Sequence, residues 1–329
     1  MTVLCFEMEN WEADMLQRNC PNAILKPTKK RLTADNAGAF QDAEILSSFV
    51  YSNLSRDVLT QLPNLKFIAA RSTGYDHVDL EYCRQHKITV SNVPTYGSKT
   101  VAEHAFALLL SLSRNIPAAA IGTREGRFNF EGLCGFDLCD KTIGVIGTGG
   151  IGGHVIHIAK GFDMNVLGYD LYPDSDLACT YTDLDDLLAR SDIISMNIPG
   201  SADTKNFLSD REFSLMKDGV IIVNTARGTV VNNAALLKAL DSGKVAKAGL
   251  DVLAGERALH DRDVLFSPDF ASRYDPWSLL IDQTLMHHPN TIISPHSGFY
   301  TDEALGRILN TTAENICGFL AGKPRNIVT

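Results

Sequence analysis

The chain has 329 residues, 45% of them apolar and 21% charged, with a net charge of -9 and a pI near 5.5. That length suits two domains and that balance a globular protein, while the acidic surplus argues against nucleic acid or an anionic membrane as partner, both of which attract a basic face. The seven cysteines are scattered, with Cys134 and Cys139 the closest pair and no CxxC, so neither a metal site nor a disulfide framework is expected and reduced thiols in a cytoplasmic protein are the simplest account.

The first residues, Met1 to Glu7, read as a strand rather than a signal peptide, and no apolar run approaches membrane-spanning length. Short apolar runs follow at Ile45–Val50, Phe67–Ala70 and Thr89–Val93, separated by amphipathic segments such as Ser55–Leu62 and Val78–His86. Strand and helix alternate, which predicts a parallel sheet. A longer helix is expected next. Thr100-Val101-Ala102-Glu103 has capping-box spacing, the apolar run reaches Leu112, and Pro117 limits it. His104, on this helix, reads as a packing or solvated residue.

The stretch Lys141-Thr142-Ile143-Gly144-Val145-Ile146-Gly147-Thr148-Gly149-Gly150-Ile151-Gly152 is a buried strand running into glycines and then a helix, with Asp170 ending the next apolar run. That order is the context in which a glycine pattern binds a dinucleotide. Gly147 makes the tight turn, Gly149 lets backbone approach a pyrophosphate, and Gly152 packs helix on strand. Free N–H groups and the positive helix end would then face the phosphates. Asp170 would accept both ribose hydroxyls and repel a 2′-phosphate, so NAD is expected rather than NADP. His154 and His157 beyond the motif read as packing or solvated residues.

Three further strands are expected at Asp192–Asn197, Gly219–Asn224 and Lys247–Val252, with ligands beyond their carboxyl ends. Just past strand ends stand Arg227, Glu256 and His296. An arginine, a carboxylate and a histidine suit hydride transfer to a 2-keto acid: the guanidinium clamps the carboxylate, an imidazolium donates a proton, and the carboxylate favours the protonated imidazole. His287 and His288 read as loop histidines, and the aromatics Phe266, Phe270, Tyr274 and Trp277 as residues packing an insertion onto its domain. After Ile292–Ser294 a last helix is expected from Thr301 to Leu320, ended by Gly322 and Pro324 and returning to the first domain.

Taken together, Arg71 to Asp79, Asn92-Val93-Pro94 through Ala102-Glu103-His104, the glycine motif, Asn224 to Gly228, Asp251 to Glu256 and Pro295-His296 resemble the D-isomer-specific 2-hydroxyacid dehydrogenase family over nearly the whole chain. Pro295 to Thr301 and the long gap between Glu256 and His296 are most similar to its D-lactate dehydrogenase branch. Pro94-Thr95-Tyr96-Gly97-Ser98 departs from that branch by a glycine. The resemblance implies two doubly wound parallel-sheet α/β domains with a cleft between them, a flavodoxin-like substrate domain at 1–99 plus 297–329 and a Rossmann-type NAD domain at 100–296. It implies Arg227 as substrate ligand, His296 as acid/base and Glu256 as its partner. Backbone groups at Ser72, Thr73 and Gly74 would hold the carboxylate, with Tyr96 bordering the substrate. NAD would meet Gly150, Ile151, Asp170, Ile198, Pro199, Thr204, Thr225, Ala226 and Asp251, and the protein would be a homodimer.

The expected reaction is therefore NAD-dependent reduction of a small 2-keto acid, pyruvate foremost, to the D-2-hydroxy acid. Larger or hydroxylated keto acids, including hydroxypyruvate and branched ones, are the alternative. A dinucleotide-sensing corepressor is a third reading, weakened by the lack of a basic surface or long disordered tails.

Overall fold

The computed structural model describes residues 1–260 and 275–329, which form two compact units, Met1–Tyr96 with Thr301–Thr329 and Gly97–Tyr300. Phe266, Phe270 and Tyr274 lie outside the described residues. The boundaries expected after 99 and after 296 fall elsewhere, since 97–99 and 297–300 belong with the second unit. The reason is local: Ser98 opens the helix Ser98–Ser113, and the N–H groups of Ser297 and Gly298 bond the Asp251 carboxylate.

In the first unit, strands β1 (Thr2–Cys5), β2 (Ile24–Pro27), β3 (Ile45–Ser48), β4 (Phe67–Ala70) and β5 (Thr89–Ser91) form a parallel sheet in the order β2-β1-β3-β4-β5. β3 and β4 are buried throughout, as central strands covered on both faces must be, which is why they read as unbroken apolar runs. Their side chains alternate. Ile45 and Phe67 pack with Leu16 and Ile316, whereas Leu46 and Ile68 pack with Leu59 and Val90. The helix Asp302–Leu320, capped by Thr301 and followed by Gly322 with a φ of 70°, covers this sheet by stacking Phe319 on Phe67 at 4.4 Å. β2 is an edge strand with three of its four residues exposed, so it carries no apolar signal in the sequence.

The second unit contains β6 (Thr142–Ile146), β7 (Asn165–Tyr169), β8 (Thr180–Tyr181), β9 (Ile193–Met196), β10 (Val220–Asn224), β11 (Val245–Leu250) and β12 (Thr291–Ile293). They pair in parallel in the order β12-β11-β10-β9-β6-β7-β8. The direction of winding reverses between β6 and β9, the point at which open α/β sheets bind ligands beyond their carboxyl ends. Ile193, Ile221 and Val223 face a core with Phe106, Leu109 and Val155, while Ile194, Ile222 and Leu250 face another with Leu236 and Leu240.

Two local expectations are corrected. The long helix begins at Ser98 with Gly97 as its N-cap, so Thr100 is a buried residue inside the first turn and not a capping side chain. Asn115, at a φ of 52°, turns the chain, and Pro117 then stands in the first turn of the helix Ile116–Arg124. Trp277, expected as a packing residue, sits in the first turn of the helix Pro276–His287 with 67% of its surface exposed. No single helix among the described residues is long and apolar enough to cross a membrane.

Candidate active site

β6 delivers the chain into the glycine turn, where the glycines differ in what surrounds them. Gly147 has a φ of 85°, the left-handed region that suits glycine, and a Cβ there would press on the Asn197 backbone at 2.8 Å. A Cβ on Gly152 would run into the Gly147 carbonyl, so helix Gly150–Gly161 sits directly against the strand end. A Cβ on Gly149 would meet nothing within 4 Å. An open backbone at a helix N-terminus is an anion cradle, and it fits a dinucleotide's pyrophosphate.

Asp170, just past β7, leans on the same turn. Its Oδ2 accepts from Thr148 N at 2.6 Å and from Thr148 Oγ1 at 3.2 Å, and its Oδ1 accepts from Tyr172 N at 2.9 Å. Burial opposes its ionisation, but the hydrogen bonds from the Tyr172 and Thr148 backbone and the Thr148 hydroxyl prevail and hold the carboxyl below the usual range. Asp170, Thr148, Gly149 and Gly150 line a cavity of about 970 Å³, which His154 and His157 also border. Those two histidines stand at the cavity wall, in keeping with a solvated position.

Across the other strand ends, Ile198 and Ala226 pack against the core and Thr204 closes its loop, donating to Pro199 O at 2.7 Å and accepting from Ser201 N at 2.8 Å. Two buried polar atoms here, Thr225 Oγ1 after β10 and Asn197 Oδ1 after β9, lack hydrogen-bond partners. Buried polar atoms are seldom left so, and a polar ligand laid over the strand ends would satisfy them.

The three ionisable residues arise from adjoining loops. Asn224 shapes the first, accepting from Ala226 N and donating to Arg227 O, both at 3.0 Å. A Cβ on Gly200 would crowd Arg227 Cγ at 2.9 Å, and one on Gly228 would strike the Leu253 carbonyl. Glu256 opens the short helix Glu256–His260, whose entry is pinned by Asp282: Oδ2 accepts from Gly255 N at 2.7 Å and Oδ1 from Asn233 Nδ2 at 2.6 Å. Asp282 is fully buried, and burial pushes its carboxyl up despite these bonds.

His296 Nδ1 lies 2.8 Å from Glu256 Oε1. Burial lowers the imidazole's pKa, but the Glu256 hydrogen bond and charge, with the Asp251 charge, outweigh both burial and the opposing charge of Arg227, and the net direction is upward. The His296 backbone is left-handed, with a φ of 53°, a conformation that costs a non-glycine residue about 1–2 kcal/mol. Asp251 maintains it: its backbone oxygen accepts from His296 N at 2.8 Å, and its carboxylate accepts from Ser297 N at 2.9 Å and Gly298 N at 2.8 Å.

The structure thus brings Arg227, Glu256, His296 and Asp251 together with the glycine turn in one unit. Ser72, Thr73, Gly74 and Tyr96 belong to the other, at the ends of its strands. There Ser72 Oγ donates to Gly74 O at 2.6 Å, Thr73 Oγ1 to Val93 O at 2.7 Å, and Tyr96 O accepts from Arg307 Nε at 2.7 Å. Asp282 and Ser294 had no signal in the sequence, and His104 stood only in a stretch that carries the family resemblance, because each acts through contacts far away along the chain.

The sequence pattern of D-isomer specific 2-hydroxyacid dehydrogenase, NAD binding domain, matches residues 106–298. The chain belongs to the D-isomer specific 2-hydroxyacid dehydrogenases. As such it is an NAD-dependent oxidoreductase, consistent with the glycine turn and Asp170. This 2-hydroxyacid dehydrogenase is 36% identical to the D-lactate dehydrogenase of Escherichia coli over 89% of its own length and 88% of that protein's. It is 32% identical to the glycerate dehydrogenase of Methylorubrum extorquens over 99% and 98%. Among solved structures it superposes on D-lactate dehydrogenase from Aquifex aeolicus complexed with NAD and lactic acid, with a TM-score of 0.88 and 34% identity over 98% and 96% of the two chains.

Proposed function

We propose that this enzyme reduces a small 2-keto acid, pyruvate foremost, to the D-2-hydroxy acid, as D-lactate dehydrogenases do. The observation that carries this reading is the Glu256–His296 pair, whose 2.8 Å contact favours the protonated form of an imidazole beside Arg227. When bound, NADH supplies the hydride. Because Glu256 engages Nδ1, Nε2 is the nitrogen of His296 left to give its proton to the substrate's carbonyl oxygen. Arg227 clamps the substrate carboxylate through its planar fork of donors. The cradle role falls to Gly147, Gly149, Gly150, Ile151 and Gly152, ribose selection to Asp170, and further cofactor contacts to Ile198, Pro199, Thr204, Thr225, Ala226 and Asp251. Ser72, Thr73, Gly74 and Tyr96 are assigned to the substrate under the same proposal.

The likeness to D-lactate dehydrogenases supports pyruvate, while the full-length likeness to a glycerate dehydrogenase supports hydroxypyruvate as the second reading. A panel of keto acids with NADH and NADPH, scored by kcat/KM, decides between them. Pyruvate should lead, with D-lactate as product. Formation of L-lactate, or a clear lead for hydroxypyruvate, overturns the assignment. A homodimer is part of the proposal, and Phe128 and Phe130, exposed at 92% and 90%, are the apolar surface a second copy would cover. Sedimentation of the Phe128→Ser, Phe130→Ser variant tests it, a monomer being the expected result.

A further inference from the structure

His104 joins the proton-transfer loop from the helix Ser98–Ser113. Its Nε2 lies 2.8 Å from Ser294 Oγ and 3.3 Å from Asp251 Oδ1, and Ser294 Oγ lies 2.5 Å from the same carboxylate oxygen. The serine has one proton, and an ionised carboxylate only accepts, so that proton goes to Asp251. His104 must then donate through Nε2 to the serine oxygen. The relay of donors ends on a carboxylate that is 2% exposed and that also receives the N–H groups of Ser297 and Gly298. Gly298 fits against both ends of it: a Cβ there would lie 2.8 Å from Asp251 Oδ2 and 3.1 Å from His104 Cδ2.

We propose that His104 and Ser294 are positioning residues for the proposed proton donor: together they orient the Asp251 carboxylate that fastens residues 296–298 and so aim the His296 imidazole. Neither residue contacts the reacting atoms in this account. A carboxylate left with fewer donors is free to turn, and the left-handed backbone at His296 has no preference of its own to keep it in place. Misaiming the imidazole removes an interaction realised in the transition state, so kcat and kcat/KM fall together and KM stays near its original value.

This inference rests on the reading of His296 as proton donor, and the experiment separates the two. His104→Leu, His104→Gln, Ser294→Ala and His296→Ala are made in the full-length enzyme and assayed with the keto acid that the wild type turns over fastest. His104→Leu and Ser294→Ala should each lose roughly tenfold or more in kcat, the scale of a lost hydrogen bond to a charged group. His104→Gln, whose amide N–H stands in for Nε2, should recover most of the loss. Wild-type kcat in both His104→Leu and Ser294→Ala overturns the inference, as does a loss in His104→Leu that His104→Gln fails to repair. Should His104→Leu not fold, Ser294→Ala decides, since it removes a single hydroxyl. If His296→Ala is inactive while the other variants are normal, only the positioning inference falls. If His296→Ala remains active, the reading of His296 itself falls.

Discussion

Glu256 Oε1 lies 2.8 Å from His296 Nδ1, although forty positions separate the two residues in the chain. The pair raises the imidazole's pKa against the effect of burial. Keto-acid reduction uses the imidazolium, so the rate should hold below that pKa and decline as pH rises through it. Glu256→Gln removes the opposing charge, lets the pKa fall, and should move the declining limb to lower pH. A pH–rate profile identical to wild type would take Glu256 out of the mechanism. Stability follows the same sign: a histidine whose folded pKa is raised contributes stability below its unfolded pKa, and this is lost as pH rises through the folded value. Thermal unfolding of Glu256→Gln should accordingly be less dependent on pH in that window.

Asp170 is tied to the glycine turn as well as placed for a ribose. Its carboxylate accepts from Thr148 N, Thr148 Oγ1 and Tyr172 N. Asp170→Ala should therefore weaken NADH binding by roughly tenfold or more, losing bonds to a charged group in the turn itself. NADPH binding should suffer less, because repulsion of the 2′-phosphate disappears with the carboxylate. Titrations with both cofactors give the ratio, and equal catalytic efficiency of the wild type with NADH and NADPH would remove Asp170 as the selector.

Much of the molecule was legible because its signals are local. β3, β4, β9 and β10 are buried on both faces and show as apolar runs; the glycine turn announces itself by backbone need, and Arg227, Glu256 and His296 each follow a strand end. What escaped depends on context that a single stretch does not carry. β2 is an exposed edge, β8 is two residues long, and Thr100-Val101-Ala102-Glu103 imitates a cap inside a helix that starts earlier. Asp282 and His104 look like ordinary helix residues until folding brings them to Gly255 and Ser294.

Arg227 should depend on shape more than charge. An ammonium cannot reproduce a guanidinium's two parallel donors to a carboxylate. Arg227→Lys should lose about a hundredfold in kcat/KM on the best keto acid, corresponding to ~2–3 kcal/mol for hydrogen bonds to a charged group, with NADH affinity retained. Near-wild-type efficiency would demote Arg227 to a structural residue and require another cation for the carboxylate.

Gly298 and Gly161 make a controlled pair for the loop geometry. A Cβ at Gly298 would lie 2.8 Å from Asp251 Oδ2, a carboxylate held by several donors, whereas one at Gly161 would meet nothing within 4 Å. Neither glycine has a positive φ, so backbone strain is not the variable. Gly298→Ala should displace the Asp251 carboxylate from the N–H groups of Ser297 and Gly298, lowering stability by about 1–3 kcal/mol, as overpacking does, and lowering kcat. Gly161→Ala, at the exposed last residue of the helix Gly150–Gly161, should be neutral or gain about 0.4–1 kcal/mol by restricting the unfolded chain. Chemical denaturation and steady-state kinetics on the two variants read both quantities. Equal stability and equal kcat in the pair would mean that the close approach at Gly298 does not hold the loop, and that the left-handed backbone of His296 is maintained by other contacts.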